Sequence, residues 1–207
     1  MMTGCQGVDV SAWQRWGDAE WSAVAAAGYR YAFVKAVEGV SRDRRFSEHW
    51  GNAREAGLIR GAYAFFHTTM APRAQADAFL EVLADHGAGE LPCVIDIETA
   101  HGMTPEAITD AVCEWVDIVH QATEARPIVY TYGSFSTHHM VGERLAECPL
   151  WVAHYGVKAP AHSKAWKRWD FWQHTGKGQI PGITGNADLN VYAGTFAELC
   201  TAYGVIA

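Results

Sequence analysis

Five times along this chain an apolar run of strand length is followed by a stretch with helical spacing, and that alternation limits the fold more than any other feature. Strands that alternate with helices pair in parallel, because each helix carries the chain back across the sheet. The first strand is Gly7 to Ser11, with Asp18 placed to cap a helix that runs through Ala27 to the stop at Gly28. Tyr31 to Val37 is the second strand. The charged stretch Ser41 to Arg45 reads as a solvated loop, and a helix follows from Phe46 to Ala56. Ile59 to Phe66 is the third strand, with a helix from Pro72 to His86 behind it. Leu91 to Thr99 supplies the fourth. Thr104 then caps a helix with Pro105 at its first position. Pro127 to Tyr132 is the fifth strand, and Ser134 to Glu147 the helix after it.

Beyond that the rhythm changes. Leu150 to Tyr155, Phe171 to His174 and Ala187 to Tyr192 read as three strands without helices between them, and Thr195 to Tyr203 as a closing helix. The expected fold class is α/β: an irregular TIM-like barrel of five β/α units followed by three strands. An open doubly wound sheet satisfies the same pattern. The chain has 207 residues, nearly half of them apolar, which suits one domain with a full core. No linker, repeat or low-complexity segment divides it, so residues 1–207 are expected to be a single domain.

Composition narrows the partners. A formal charge of -7 leaves no basic footprint for nucleic acid. No apolar run is long enough to span a membrane. The start, Met1 to Gln6, lacks a basic region followed by an apolar one, so synthesis in the cytoplasm without a signal peptide is expected. Five cysteines, an odd number and far apart, read as reduced thiols rather than a disulfide framework or a zinc site.

The chemistry gathers on Leu91 to Thr99. Asp96 and Glu98 interrupt an apolar run, and strand positions two apart share a face roughly 6–7 Å apart. Like charges that close repel by about 2–3 kcal/mol at an effective dielectric near 20. One carboxyl is then expected to keep its proton near neutral pH while the other ionises. That is the equipment for glycosidic bond cleavage; the bland alternative is a solvated strand end or a cation site. Asp9 and Asp188 bring further acids from other strands, though Asp188-Leu189-Asn190 also reads as a turn. Lys35 is expected to pair with one of these acids in a buried salt bridge. Tyr63, Tyr130, Tyr132, His154, Gln173 and His174 lie in or at the ends of strands. The tryptophans Trp166, Trp169 and Trp172 suit sugar stacking, yet large aromatics are more often core. The ten histidines form no metal motif, and neither P-loop spacing nor a Gly-x-Ser-x-Gly occurs.

These residues resemble a known family. Gly7-Val8-Asp9-Val10-Ser11-x-x-Gln14, Phe33-Val34-Lys35-Ala36-x-Glu38-Gly39, Gly61-Ala62-Tyr63-x-Phe65 and Asp96-Ile97-Glu98 are similar to motifs of glycoside hydrolase family 25. So are Trp172-Gln173 and the run from Pro181 to Asn190. The resemblance implies an N-acetylmuramidase, a lysozyme that hydrolyses the β-1,4 bond between N-acetylmuramic acid and N-acetylglucosamine in the glycan strands of bacterial peptidoglycan. It implies Glu98 as general acid and Asp96 as second carboxylate, either attacking the anomeric carbon or orienting the substrate's N-acetyl group. Asp9 and Asp188 match the remaining site acids; Lys35, Tyr63, Tyr130 and Gln173 are the expected substrate contacts. No cofactor and no metal are expected, and a monomer is. Val37 departs from the usual Thr, and 157–168 matches no motif. The pattern is similar to a single-domain phage endolysin, made in the cytoplasm and acting on the wall after release or export. The rivals are a catalytically inactive carbohydrate-binding barrel and a metal-dependent phosphodiesterase on a similar barrel.

Overall fold

The computed structural model describes residues 4–13 and 20–206; Gln14 and Asp18 lie outside them. The strands are β1 (Cys5–Val10), β2 (Tyr31–Glu38), β3 (Ser41–Arg42), β4 (Ile59–Phe65), β5 (Val94–Asp96), β6 (Ile128–Tyr132), β7 (Leu150–Ala153), β8 (Phe171–Gly178) and β9 (Ala187–Tyr192). The helices are α1 (Trp21–Ala26), α2 (Phe46–Glu55), α3 (Pro72–His86), α4 (Pro105–Thr123), α5 (Gly133–His139) and α6 (Phe196–Tyr203). The sheet runs β1-β9-β8-β7-β6-β5-β4-β2, and β2 pairs back onto β1, closing an eight-stranded ring. That closure removes the open doubly wound sheet. The pairings from β1 through β2 and on to β8 are parallel, whereas β9 is antiparallel to both of its neighbours. The short β3 lies outside the ring as a hairpin on β2.

The two-residue period of each strand divides the apolar residues into two cores. On β2, Ala32, Val34 and Ala36 pack outward with the helices, while Tyr31 and Phe33 belong to the barrel interior. Inside, Phe33 stacks on Trp151 at 4.4 Å and meets Phe171 edge-on at 5.2 Å. Tyr203 of α6 stacks on Phe171 at 6.0 Å, and Leu199 is buried in the same cluster. The last helix therefore plugs the lower end of the barrel. Thr195 holds it there with a capping box to Glu198. Filled below by aromatics, the barrel can be polar only at its upper mouth.

Four local readings are corrected. The stretch 41–45 is solvated only in part: Ser41, Arg42 and Arg44 are exposed, but Asp43 is buried and accepts the backbone N–H groups of Ala12 at 3.0 Å and Arg45 at 2.9 Å. The helix expected over Ser134 to Glu147 breaks after His139, and a separate 3-10 turn spans Glu143–Glu147. Gly142, at φ 85°, supplies the left-handed residue that separates them. The acidic strand is shorter than its apolar run, because Ile97 and Glu98 lie beyond β5. The Ile97 N–H still donates to the Tyr130 carbonyl at 3.0 Å, which carries the chain one step further along the ladder. Finally, β7 ends at Ala153, and Tyr155 lies past it.

Candidate active site

All eight sequence-predicted site residues line one cleft of about 330 Å³ at the barrel mouth. Asp9, Lys35, Tyr63, Tyr130 and Gln173 come from five parallel strands; the first three lie past the midpoints of β1, β2 and β4, Tyr130 is central in β6, and Gln173 is the third residue of β8. Asp96 ends β5, and Glu98 follows two residues on. Asp188 reaches the same mouth from the beginning of β9, because that strand runs the other way. It is a strand residue and not a turn. Six of the eight are buried; Glu98 and Asp188 are half-buried.

Burial dominates the electrostatics. It pushes the Asp9 carboxyl well above its ordinary range, and the charge of Asp188 pushes it further. The amides of Asn190 and Gln173 pull the other way, donating to Asp9 Oδ1 at 2.6 and 2.8 Å. Asp96 is also raised well above the carboxylate range, first by burial and then by the charges of Glu98 and Asp9. A side-chain hydrogen bond joins Asp96 to Glu98; it holds the proton on Asp96 and favours the anion of Glu98. Glu98 remains raised on balance, through burial and the charge of Asp188. Asp96 and Glu98 therefore titrate as one unit that retains a proton to higher pH than either acid would in water.

Lys35 does not pair with any of the four acids. Its Nζ donates to Glu38 Oε2 at 2.9 Å and stands 3.9 Å from Asp43 Oδ2. Held there, its charge favours the ionised forms of both Asp96 and Glu98. Two expected substrate contacts are engaged inside the protein. Gln173 gives its N–H to Asp9, and its Oε1 accepts from the hydroxyl of Tyr130 at 2.9 Å and from that of Tyr155. Neither His154 nor His174 lines the cleft. His154 accepts the Ala161 N–H at 3.0 Å, and His174 packs edge-on against Trp172 at 5.9 Å. Trp166 and Trp172 donate their indole N–H groups to the Cys148 and His154 carbonyls, so both are structural. Among the described residues, the exposed indole at the cleft is Trp13, 80% accessible.

Sequence reasoning missed Asn190, Trp151 and Tyr155, which surround Asp9 without carrying charge. It also missed Glu38 and Asp43 as the partners of Lys35. Among the described residues, no group of three or more His, Cys, Asp or Glu side chains could hold a metal ion.

Residues 8–183 match the family model described as glycosyl hydrolases family 25. The chain belongs to that family. This family 25 hydrolase is 37% identical to Lysozyme M1 of Streptomyces globisporus, over 95% of this chain and 70% of that protein. Its fold superposes on the crystal structure of a bacterial lysozyme from Streptomyces coelicolor with a TM-score of 0.88, at 33% identity and with both chains fully covered. A family 25 glycosyl hydrolase from Bacillus anthracis superposes with a TM-score of 0.81 at 25% identity, over 96% of this chain and 94% of that one. The enzyme is a glycoside hydrolase, and its cleft is the site where four acids from three parts of the ring converge.

Proposed function

We propose that this lysozyme hydrolyses the β-1,4 bond between N-acetylmuramic acid and N-acetylglucosamine in peptidoglycan, with Glu98 as proton donor and Asp96 as its anionic partner. The lysozymes among its relatives support the substrate. The observation that carries the roles is the Asp96–Glu98 pair in the cleft, joined by a hydrogen bond and with both carboxyls raised by burial.

Burial and the hydrogen bond to Glu98 both favour the proton on Asp96 before substrate binds. Positive charge developing at the anomeric carbon favours the Asp96 anion. The proton then moves along the hydrogen bond to Glu98 and on to the departing glycosidic oxygen. Glu98, now ionised, takes a proton from the incoming water in the second half of the reaction. Lys35 keeps the negative charge of the pair tolerable in this buried setting. Asp9 and Asp188 add the surrounding negative potential that favours a cationic transition state.

The test is a digest of purified peptidoglycan followed by borohydride reduction and mass analysis. New reducing ends on N-acetylmuramic acid are expected; ends on N-acetylglucosamine, or no ends, would overturn the reading. Glu98→Gln should stay folded and lose about 10²–10⁴-fold in kcat. A variant close to wild type would remove Glu98 as the donor.

A further inference from the structure

Asp9 is tied to the barrel interior through two side-chain amides, and the far end of each amide decides which way it turns. A side-chain amide can present either its carbonyl or its NH₂ to a neighbour. Asn190 Oδ1 accepts the indole N–H of Trp151 at 2.8 Å. An indole N–H can only donate. Asn190 must therefore turn its carbonyl to Trp151 and its NH₂ to Asp9. Gln173 is held more softly, since a phenol can donate or accept: the hydroxyls of Tyr130 and Tyr155 both donate to its Oε1 and occupy both lone pairs. Its NH₂ is left facing Asp9. Both amides deliver an N–H to the same oxygen, Asp9 Oδ1.

We propose that Trp151, Tyr130 and Tyr155 are positioning residues for Asp9: they hold the Asn190 and Gln173 amides in the orientation that gives Asp9 two donors, and so favour its ionised form against the negative charges around it. The inference rests on the muramidase reading of the cleft.

The surroundings show why a lock is needed. Asp188 from β9, and Asp96 and Glu98 from the end of β5, all face Asp9 with the same sign of charge. The phenols that feel its charge are Tyr31 on β2, Tyr63 on β4, Tyr130 and Tyr132 on β6, and Tyr155 beyond β7. The lysine at the cleft, Lys35, is held by Glu38 and Asp43. An amide free to flip could offer its carbonyl to Asp9, which rewards a protonated carboxyl. The Trp151 indole forbids that at Asn190, and the two phenols disfavour it at Gln173. An anionic Asp9 in turn helps Asp96 and Glu98 retain their proton, since its charge opposes a further negative charge on Asp96. The hydroxyls and the indole thus act on the proton donor at one remove, through Asp9.

The experiment is a carboxyl ¹³C NMR titration of Asp9 in the wild type, in Tyr155→Phe and in Tyr130→Phe/Tyr155→Phe. Tyr155 is 44% exposed, so its variant should fold normally. The Asp9 midpoint should rise by about half a pH unit in the single variant and about one in the double. The acid limb of the kcat/KM profile should move up with it. Trp151→Phe keeps an aromatic ring, drops the N–H and should shift the midpoint in the same direction. An unchanged midpoint, with a profile lowered uniformly at every pH, would overturn the proposal and leave the hydroxyls as substrate contacts only. The wild-type digest decides the muramidase reading separately.

Discussion

Asp9 and Asp188 are register partners across the antiparallel β1–β9 seam of the barrel. Like charges directly opposite in a ladder repel. Here the repulsion is built into the seam, and after burial it is the next cause holding the Asp9 carboxyl above its ordinary range. A carboxyl raised in the folded state binds protons there that the unfolded chain has already released. Its contribution to stability is therefore full at low pH and fades as pH rises from the unfolded value through the folded one.

Asp188→Asn should weaken that dependence. At pH 7 the variant should unfold with about 0.5–1 kcal/mol more free energy than the wild type, a rise of about 1–4 °C in Tm. At pH 4 the difference should shrink. Turnover should fall, because the mouth loses one of its charges. Thermal melts at the two pH values check the sign; an equal shift at both would show that the seam repulsion does not act on Asp9.

His49 gives the opposite pH dependence from a site far from the chemistry. It lies fully buried on α2, edge-on to Trp21 at 5.9 Å. Burial lowers its pKa to about 4, with the charge of Arg45 adding to the effect. The folded state thus binds the proton more weakly than the unfolded chain does. Stability from this group is full above the unfolded value near 6.5 and is lost as pH falls toward 4. Between pH 7 and 4.5 the wild type should lose about 2 kcal/mol more than His49→Leu. The site acids contribute equally to both proteins, so the comparison isolates His49. Parallel stability curves in denaturant would contradict the assignment.

The β/α rhythm was legible because it rests on period. Pro72 to His86 and Ala187 to Tyr192 carry their boundaries in proline, aspartate and apolar spacing, and the structure keeps both. The acids were legible because a carboxylate inside an apolar strand is costly without a task. What could not be read depends on contacts distant in sequence. Closure of the ring needs β1 beside β2 and β9, and no local signal states it. Asn190 reads as part of a turn, Trp151 as core and Tyr155 as a strand end until the barrel brings them around Asp9. Asp43 looks solvated until Ala12 and Lys35 arrive from other segments. Gly142 was visible, but helical spacing continues across it and hides the break.

Arg60 and Glu90 form a second polar commitment, on the outward side of β4. Arg60 is buried and donates from Nη2 and Nε to the Glu90 carboxylate at 2.6 and 3.1 Å. Its Nη1 donates to the Trp50 carbonyl at 3.0 Å, and its guanidinium lies 4.4 Å from the Trp50 ring. Removing the anion leaves a buried cation. Because Glu90 is about a third exposed, the cost falls below that of a fully buried pair. Glu90→Gln should lose about 2–3 kcal/mol and about 4–12 °C in Tm. The double change Arg60→Met/Glu90→Leu should recover most of it. Chemical denaturation of the three variants checks the ordering, and a double variant no better than the single would mean the pair contributes more than its desolvation costs.

Gly7 tests whether the aromatic floor of the barrel is as tight as its geometry implies. It is the register partner of Tyr31 on the parallel β1–β2 pair. A Cβ built on Gly7 would fall 2.2 Å from Tyr31 Cε2 and 2.3 Å from Cζ, inside any tolerable contact. The tyrosine ring is fully buried and cannot swing aside, since Phe33 and Phe171 meet it edge-on at 5.6 and 5.4 Å. Either the ring leaves its rotamer or β1 moves away from β2. Gly7→Ala should therefore cost about 1–3 kcal/mol, or about 2–12 °C in Tm. Asp9 lies two residues along the same face, so a shift of β1 should also lower kcat. Adding Tyr31→Leu makes room for the methyl group. The double variant should be more stable than the sum of the two single effects, with a coupling of about 1 kcal/mol. Simple additivity would mean that the strands yield at little cost and that the floor does not fix the position of Asp9.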